Sequence, residues 1–365
     1  MRSTAGRGRA RALWLFDDAP ILGGAELFAL RLALFAREER GLTVHLVCPP
    51  GEFAARCKGL ALETVLVAFP PLSPAGAPRW PGAILRVRSL LAKIGTSADG
   101  VVVANTARAQ AYLAAAVPIL HGARQPPLVN VVHEQGTLAR RSGRFAFRRV
   151  GSLVAIGENV ARSHRERLPG VPVWKANNFP DPSHLNRPAR RSTPAGRPVV
   201  GVLTRLIPEK GVLELVDELA NAQSWSRAVI AGDAEDRAYA DRVEARIGSL
   251  GLDDRVSLVG RVEVDEVPSF LDSIDVLAVP STGSEAQPTV ILEALAAGRP
   301  CLVRPAVWSR DFEGLPVLRF GDAEELERHL AQLPSEPAPV EELRHRFGPE
   351  QALDAILAAA SGRRQ

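Results

Sequence analysis

Cysteine is scarce in this chain and scattered where it occurs. Cys48, Cys57 and Cys301 share no metal-ligand spacing, and three thiols so far apart make no disulfide framework. A reducing, cytoplasmic setting is therefore expected. No apolar run approaches the roughly 18 residues that a membrane-spanning helix needs. The Arg-rich start, Met1 to Arg11, is not followed by the apolar stretch of a secretory signal and reads as a frayed tail. No recognised nucleic-acid-binding module is visible either, which argues against a nucleic-acid partner.

What is present fits two α/β domains of ordinary size. The 365 residues are 46% hydrophobic and 24% charged, a globular composition. The formal net charge of +4 conceals an asymmetry. Residues 1–190 hold 26 Lys and Arg against 12 Asp and Glu, a net of +14, and residues 191–365 hold 19 against 29, a net of −10. A basic half joined to an acidic half suggests that the first meets something anionic, such as a phospholipid surface or a lipid-diphosphate acceptor. Arg141, Arg144 and Arg148 fall on one helical face, in a run from Arg140 to Arg149 that includes Phe145 and Phe147. As a group they are the best candidate for an acceptor or headgroup patch.

Short apolar runs alternate with helical patterns along the chain. Ala12 to Phe16 reads as a first strand, and Ala25 to Arg40 as a helix. Gly23 and Gly24 lie between them, where a glycine pair lets backbone N–H groups approach a phosphate or sugar closely. The Pro-rich piece from Pro70 to Pro81 reads as a connection, followed by a helix over Ile84 to Ile94. Strands at Val101 to Ala104 and Leu128 to Val132 end in Asn105-Thr106 and His133. A His at the tip of a central parallel strand stands at the ligand edge of the sheet. Asn186 to Pro198 reads as a linker between domains.

The second half repeats the alternation. A strand over Val199 to Leu203 leads into Thr204-Arg205-Leu206-Ile207-Pro208-Glu209-Lys210-Gly211 and a helix. Arg205 and Lys210, five apart at a strand end and a helix start, can clamp a diphosphate from two sides, one as a fork and one as a point charge. The strand Val276 to Val279 leads into a loop and a helix from Thr289 to Ala297. Peptide N–H groups from Gln287 to Ile291, Pro288 excepted, are expected to be open to an anion at that helix entrance. Glu285 in the loop and Glu293 one turn into the helix can each accept hydrogen bonds from a pair of neighbouring hydroxyls. Helices are expected over Ala323 to Leu333 and Glu341 to Ala360.

The Glu285-x7-Glu293 spacing, the segment Thr204 to Gly211 and the Gly23-Gly24-Ala25-Glu26 loop resemble the family-four retaining glycosyltransferases of the GT-B class, the glycosyl transferases of group 1. The resemblance implies an α/β fold of two facing Rossmann-like domains with a cleft between them. The expected division is an acceptor domain over 1–186, a nucleotide-sugar-binding domain over 187–345, and a C-terminal helix in 346–365 packing back on the first domain. It implies transfer of a sugar, with retention, from a nucleotide-sugar donor to a hydroxyl of a sugar, polysaccharide or lipid-linked acceptor. In that reading Arg205 and Lys210 stabilise the departing diphosphate, with help from the entrance at Pro288, Thr289 and Val290. His133 and Glu285 orient the sugar, Glu293 holds the ribose, and backbone near Arg261 reads the base. Gly23 and Gly24 also face the donor.

Strict Asp-x-Asp, the metal handle of the other large glycosyltransferase class, is absent, so no cofactor and no essential metal are expected. The sequence departs from the family at Thr204 for a usual Gly, at Asp233-Ala234, at Asn178, and at Gln287-Pro288 for the usual aromatic-Gly. Two other readings stay open: another GT-B enzyme, such as a sugar-nucleotide epimerase or phosphorylase, or a non-catalytic partner in glycan assembly. A cytoplasmic enzyme, peripheral on the inner face of the membrane, completes the expectation.

Overall fold

A computed structural model describes residues 12–96, 100–117, 126–134, 152–186, 196–283 and 285–362. The chain divides into two compact units, 1–178 with 349–365, and 179–348. The sequence reading set its boundaries at 186 and 345.

The first unit is built on a seven-stranded parallel sheet. Its strands are β1 (Ala12–Phe16), β2 (Thr43–Cys48), β3 (Glu63–Leu66), β4 (Gly100–Ala104), β5 (Leu128–Val132), β6 (Ser152–Ile156) and β7 (Val173–Ala176), in the order β3-β2-β1-β4-β5-β6-β7. β4 is buried along its whole length, as a parallel strand covered on both faces requires. The chain order reverses between β1 and β4, which pair in register from Ala12 with Gly100 to Phe16 with Ala104. Such a reversal opens a ligand crevice at the carboxyl ends of the strands.

Two expectations need correction. The Pro70–Pro81 connection is partly helical: Pro74–Arg79 forms a 3-10 turn, and a helix runs over Trp80–Thr96. Pro81 sits in the first turn of that helix, where a missing N–H costs nothing. The expected C-terminal helix is two, Val340–Phe347 and Pro349–Ser361, because Gly348, preceding a proline, is held extended at φ −84 and ψ 150. The second of these packs on the first unit, where Ser152 Oγ donates to the Ala359 carbonyl at 2.8 Å and Arg40 pairs with Asp354. The run from Arg140 to Arg149 lies outside the described residues.

The second unit carries a six-stranded parallel sheet: β8 (Val199–Leu203), β9 (Arg227–Ala231), β10 (Val256–Gly260), β11 (Val276–Val279), β12 (Cys301–Val303) and β13 (Val317–Arg319). Their order is β10-β9-β8-β11-β12-β13. Apolar clusters cover both faces, one built around Trp225, Val216 and Val243, the other around Ile291, Leu295 and Phe312. The order reverses between β8 and β11, which pair at Val200 with Val276 and Gly201 with Leu277. All three cysteines are buried free thiols. No helix among the described residues is long and apolar enough to cross a membrane.

Candidate functional site

In the second unit the loops leaving β8 and β11 lie against each other at the reversal point. The N–H groups of Thr282 and Gly283 both donate to the Glu209 carbonyl, at 3.0 and 3.1 Å. Gly211 has φ +65, and a Cβ there would meet the Pro280 carbonyl oxygen at 2.2 Å, so only glycine permits this approach. The result is that Lys210 Nζ meets Glu285 Oε1 directly, both side chains about four-fifths buried. Two residues the sequence reading assigned to leaving group and sugar are thereby brought together.

The helix after this loop runs over Thr289–Ala296 with Pro288 at its cap and no side chain capping it. Thr289 and Val290 therefore present the first two N–H groups of the helix. The Ile291 N–H is not open, contrary to expectation. It donates to the Pro288 carbonyl at 3.2 Å, a tight first turn that uses this donor within the chain. Glu293 lies one turn in and is buried.

Arg205 does not join Lys210. Its guanidinium pairs with Glu235 at 2.7 Å, and both groups are half exposed. Arg261 likewise meets Glu263 at 3.0 Å in an exposed pair. The Thr204 carbonyl lies so close to Gly232 that a Cβ on Gly232 would sit 1.6 Å from it. Only glycine lets the two backbones touch here, and Asp233 beside it is exposed. Among the described residues no group of three or more His, Cys, Asp or Glu side chains is placed to hold a metal ion.

In the first unit, Asp17, Asn105 and His133 each follow directly the carboxyl end of a strand, β1, β4 and β5, and these strands are neighbours. Asn105 Nδ2 donates to Asp17 Oδ2 at 2.7 Å and to the Ala25 carbonyl at 2.9 Å. Its Oδ1 faces His133 Nε2 at 3.0 Å, and Phe28 packs edge-on against the imidazole with centroids 5.1 Å apart. Burial lowers the His133 pKa to about 4, so the ring is neutral at pH 7. Burial and the nearby Glu26 carboxylate raise Asp17 to about 7, against the lowering effect of the Ala19 N–H and Asn105.

Gly23 and Gly24 also lie in this unit, at the entrance of the helix Gly24–Glu38. The Gly23 N–H donates to Glu26 Oε2 at 2.9 Å, while Gly24 faces open space. Sequence reasoning named His133 and this loop but missed Asp17 and gave Asn105 no role. Their shared position just past a buried strand was the available signal.

Comparison with known proteins bears out the expected family and fold class. The family model of glycosyl transferases group 1 matches residues 197–335. The chain is 29% identical over 233 residues to a 2-deoxystreptamine glucosyltransferase of Streptomyces kanamyceticus, a match that spans 59% of either chain. It is 28% identical over 320 residues to a 2-deoxystreptamine N-acetyl-D-glucosaminyltransferase of Streptomyces fradiae, spanning 71% of this chain and 73% of that one. Among solved structures it is similar to Anabaena HepE in complex with UDP and glucose. There the TM-score is 0.69 at 21% identity, over 97% of this chain and 95% of that one. The chain has the GT-B fold, and its residues 197–335 match the glycosyl transferases of group 1.

Proposed function

We propose that this protein is a retaining glycosyltransferase that moves a sugar from a nucleotide-sugar donor to an acceptor hydroxyl. The observation that carries the reading is the Lys210–Glu285 contact at the reversal point of the second sheet, beside the entrance of the helix Thr289–Ala296. A cation, a carboxylate and helix N–H groups at one strand edge match a donor that carries a diphosphate and a polyhydroxylated ring.

The bond between the anomeric carbon and the diphosphate oxygen breaks, and a bond from that carbon to the acceptor oxygen forms on the same face. The acceptor proton leaves with the released nucleoside diphosphate. Lys210 supports the negative charge that develops on the leaving oxygen, and Arg205, held in an exposed pair with Glu235, is the second cation assigned to it. Glu285 and Glu293 accept hydrogen bonds from hydroxyls of the sugar and the ribose. No step in this scheme calls for a metal.

The acceptor is read as a sugar, a cyclitol or a glycolipid, in line with the names of the relatives, which include a 2-deoxystreptamine glucosyltransferase and a phosphatidylinositol monomannoside mannosyltransferase. The net charge of +14 over residues 1–190 suits an anionic acceptor or the inner face of a membrane. A panel of nucleotide sugars screened by thermal shift, followed by transfer assays with aminocyclitol and glycolipid acceptors, tests the reading. Donor consumption without an acceptor, yielding an epimer, would favour a sugar-nucleotide epimerase instead.

A further inference from the structure

The polar cluster at the strand ends of the first unit restricts the chemistry of His133 more tightly than its position alone would. The Asn105 side-chain amide has two donors and both are in use. One meets a carboxyl oxygen of Asp17, the other the main-chain carbonyl of Ala25. That carbonyl can only accept, so it fixes which way the amide faces whatever the protonation of Asp17. Turning the amide over would set its oxygen against the Ala25 carbonyl and leave a buried acceptor unpaired, a costly arrangement at a residue only 1% exposed.

With the amide so oriented, its oxygen faces His133 Nε2 at 3.0 Å. An acceptor at that distance demands a proton on Nε2. A neutral imidazole has one N–H, so Nδ1 carries the lone pair. Phe28, edge-on at 75° to the ring, restricts its rotation.

We infer that Asn105 is a positioning residue that holds His133 in the Nε2–H form and so leaves Nδ1 as a hydrogen-bond acceptor for a ligand hydroxyl. An acceptor nitrogen in this place selects a group that can donate, such as a sugar hydroxyl, and disfavours an anionic phosphate oxygen. Asp17 and Ala25 act through Asn105. The hydroxyl as ligand rests on the glycosyl-transfer reading; the tautomer does not.

The test is a long-range proton–nitrogen correlation spectrum of the full chain with ¹⁵N-labelled histidine at pH 7. The His133 signals are identified among the seven histidines by their loss in His133→Gln. The expected pattern is a protonated Nε2 and a bare Nδ1, without any sugar nucleotide present. Asn105→Ala should convert it to a mixture of tautomers, and should lower kcat/KM for transfer about tenfold, the worth of one well-placed hydrogen bond. A protonated Nδ1 or an imidazolium in the parent would overturn the inference, and that spectrum needs no variant to fold. Unchanged transfer in a folded Asn105→Ala would overturn the hydroxyl-acceptor role. Absence of transfer in the parent would count against the functional reading alone, since the spectrum still decides the tautomer.

Discussion

Lys210 and Glu285, 75 residues apart in sequence, meet side chain to side chain where the second sheet reverses its strand order. The contact exists because each loop follows the carboxyl end of one of two paired strands, and because Gly211 lets those loops touch. A charged pair so far out of solvent is held by its geometry, and removing one partner leaves the other buried and alone.

Lys210→Ala is expected to lower transfer by about a hundredfold or more, the usual loss when one contact to a developing charge is removed. Glu285→Gln should also reduce transfer while the circular dichroism spectrum stays that of the parent. Parent-like turnover in a folded Lys210→Ala protein would remove this cation from the chemistry.

Gly211→Ala should impair both stability and transfer. The left-handed backbone alone costs an alanine about 1–2 kcal/mol, and the Pro280 carbonyl stands where the methyl would go. Urea unfolding measures the first effect and turnover the second. A variant as stable as the parent would mean that the two loops separate easily.

Two groups in the first unit give stability opposite dependences on pH. Asp17, raised from 3.8 to about 7, binds its proton more tightly when folded. Its contribution is full below about pH 4 and is lost as pH rises to about 7. His133, lowered from 6.5 to about 4, contributes above about pH 6.5 and loses that contribution as pH falls towards 4. Replacing Asp17 with Asn removes only the first dependence. The stability of Asp17→Asn relative to the parent should therefore improve between pH 5 and pH 8, measured by urea unfolding at both values. A difference that stays constant, or worsens at pH 8, would show that Asp17 is not held protonated.

Transfer is expected to survive excess EDTA. Strict Asp-x-Asp is absent from the sequence, and Lys210 and Arg205 supply cations near the strand end where the leaving group is read to lie. Activity lost in EDTA and restored by Mg²⁺ or Mn²⁺ would contradict this.

Much of this architecture was legible because parallel strands buried on both faces read as unbroken apolar runs, and ligand-edge residues follow them directly. His133 and Arg205 could be placed on that ground, and Glu285 by its spacing from Glu293. The Lys210–Glu285 contact could not, since nothing local to either residue reports which strands are neighbours. Asn105 and Asp17, 88 residues apart, escaped for the same reason. The helix over Ala107–Ala116 was overlooked because its Ala-rich run has little polar contrast, although Thr106 caps it by accepting from the Ala109 N–H at 3.3 Å. The split at Gly348 is signalled only by Pro349, because helical composition continues on both sides of it.

The anomeric configuration of the product tests the central claim most directly. The full chain would be incubated with a nucleotide sugar that the thermal-shift screen selects and with an aminocyclitol or glycolipid acceptor, and the glycosidic linkage read by proton NMR. The account predicts a new glycoside with the anomeric configuration of the donor, formed by the parent and reduced at least a hundredfold in Lys210→Ala. A product of inverted configuration, or a chain that neither binds nor consumes any nucleotide sugar, would contradict it.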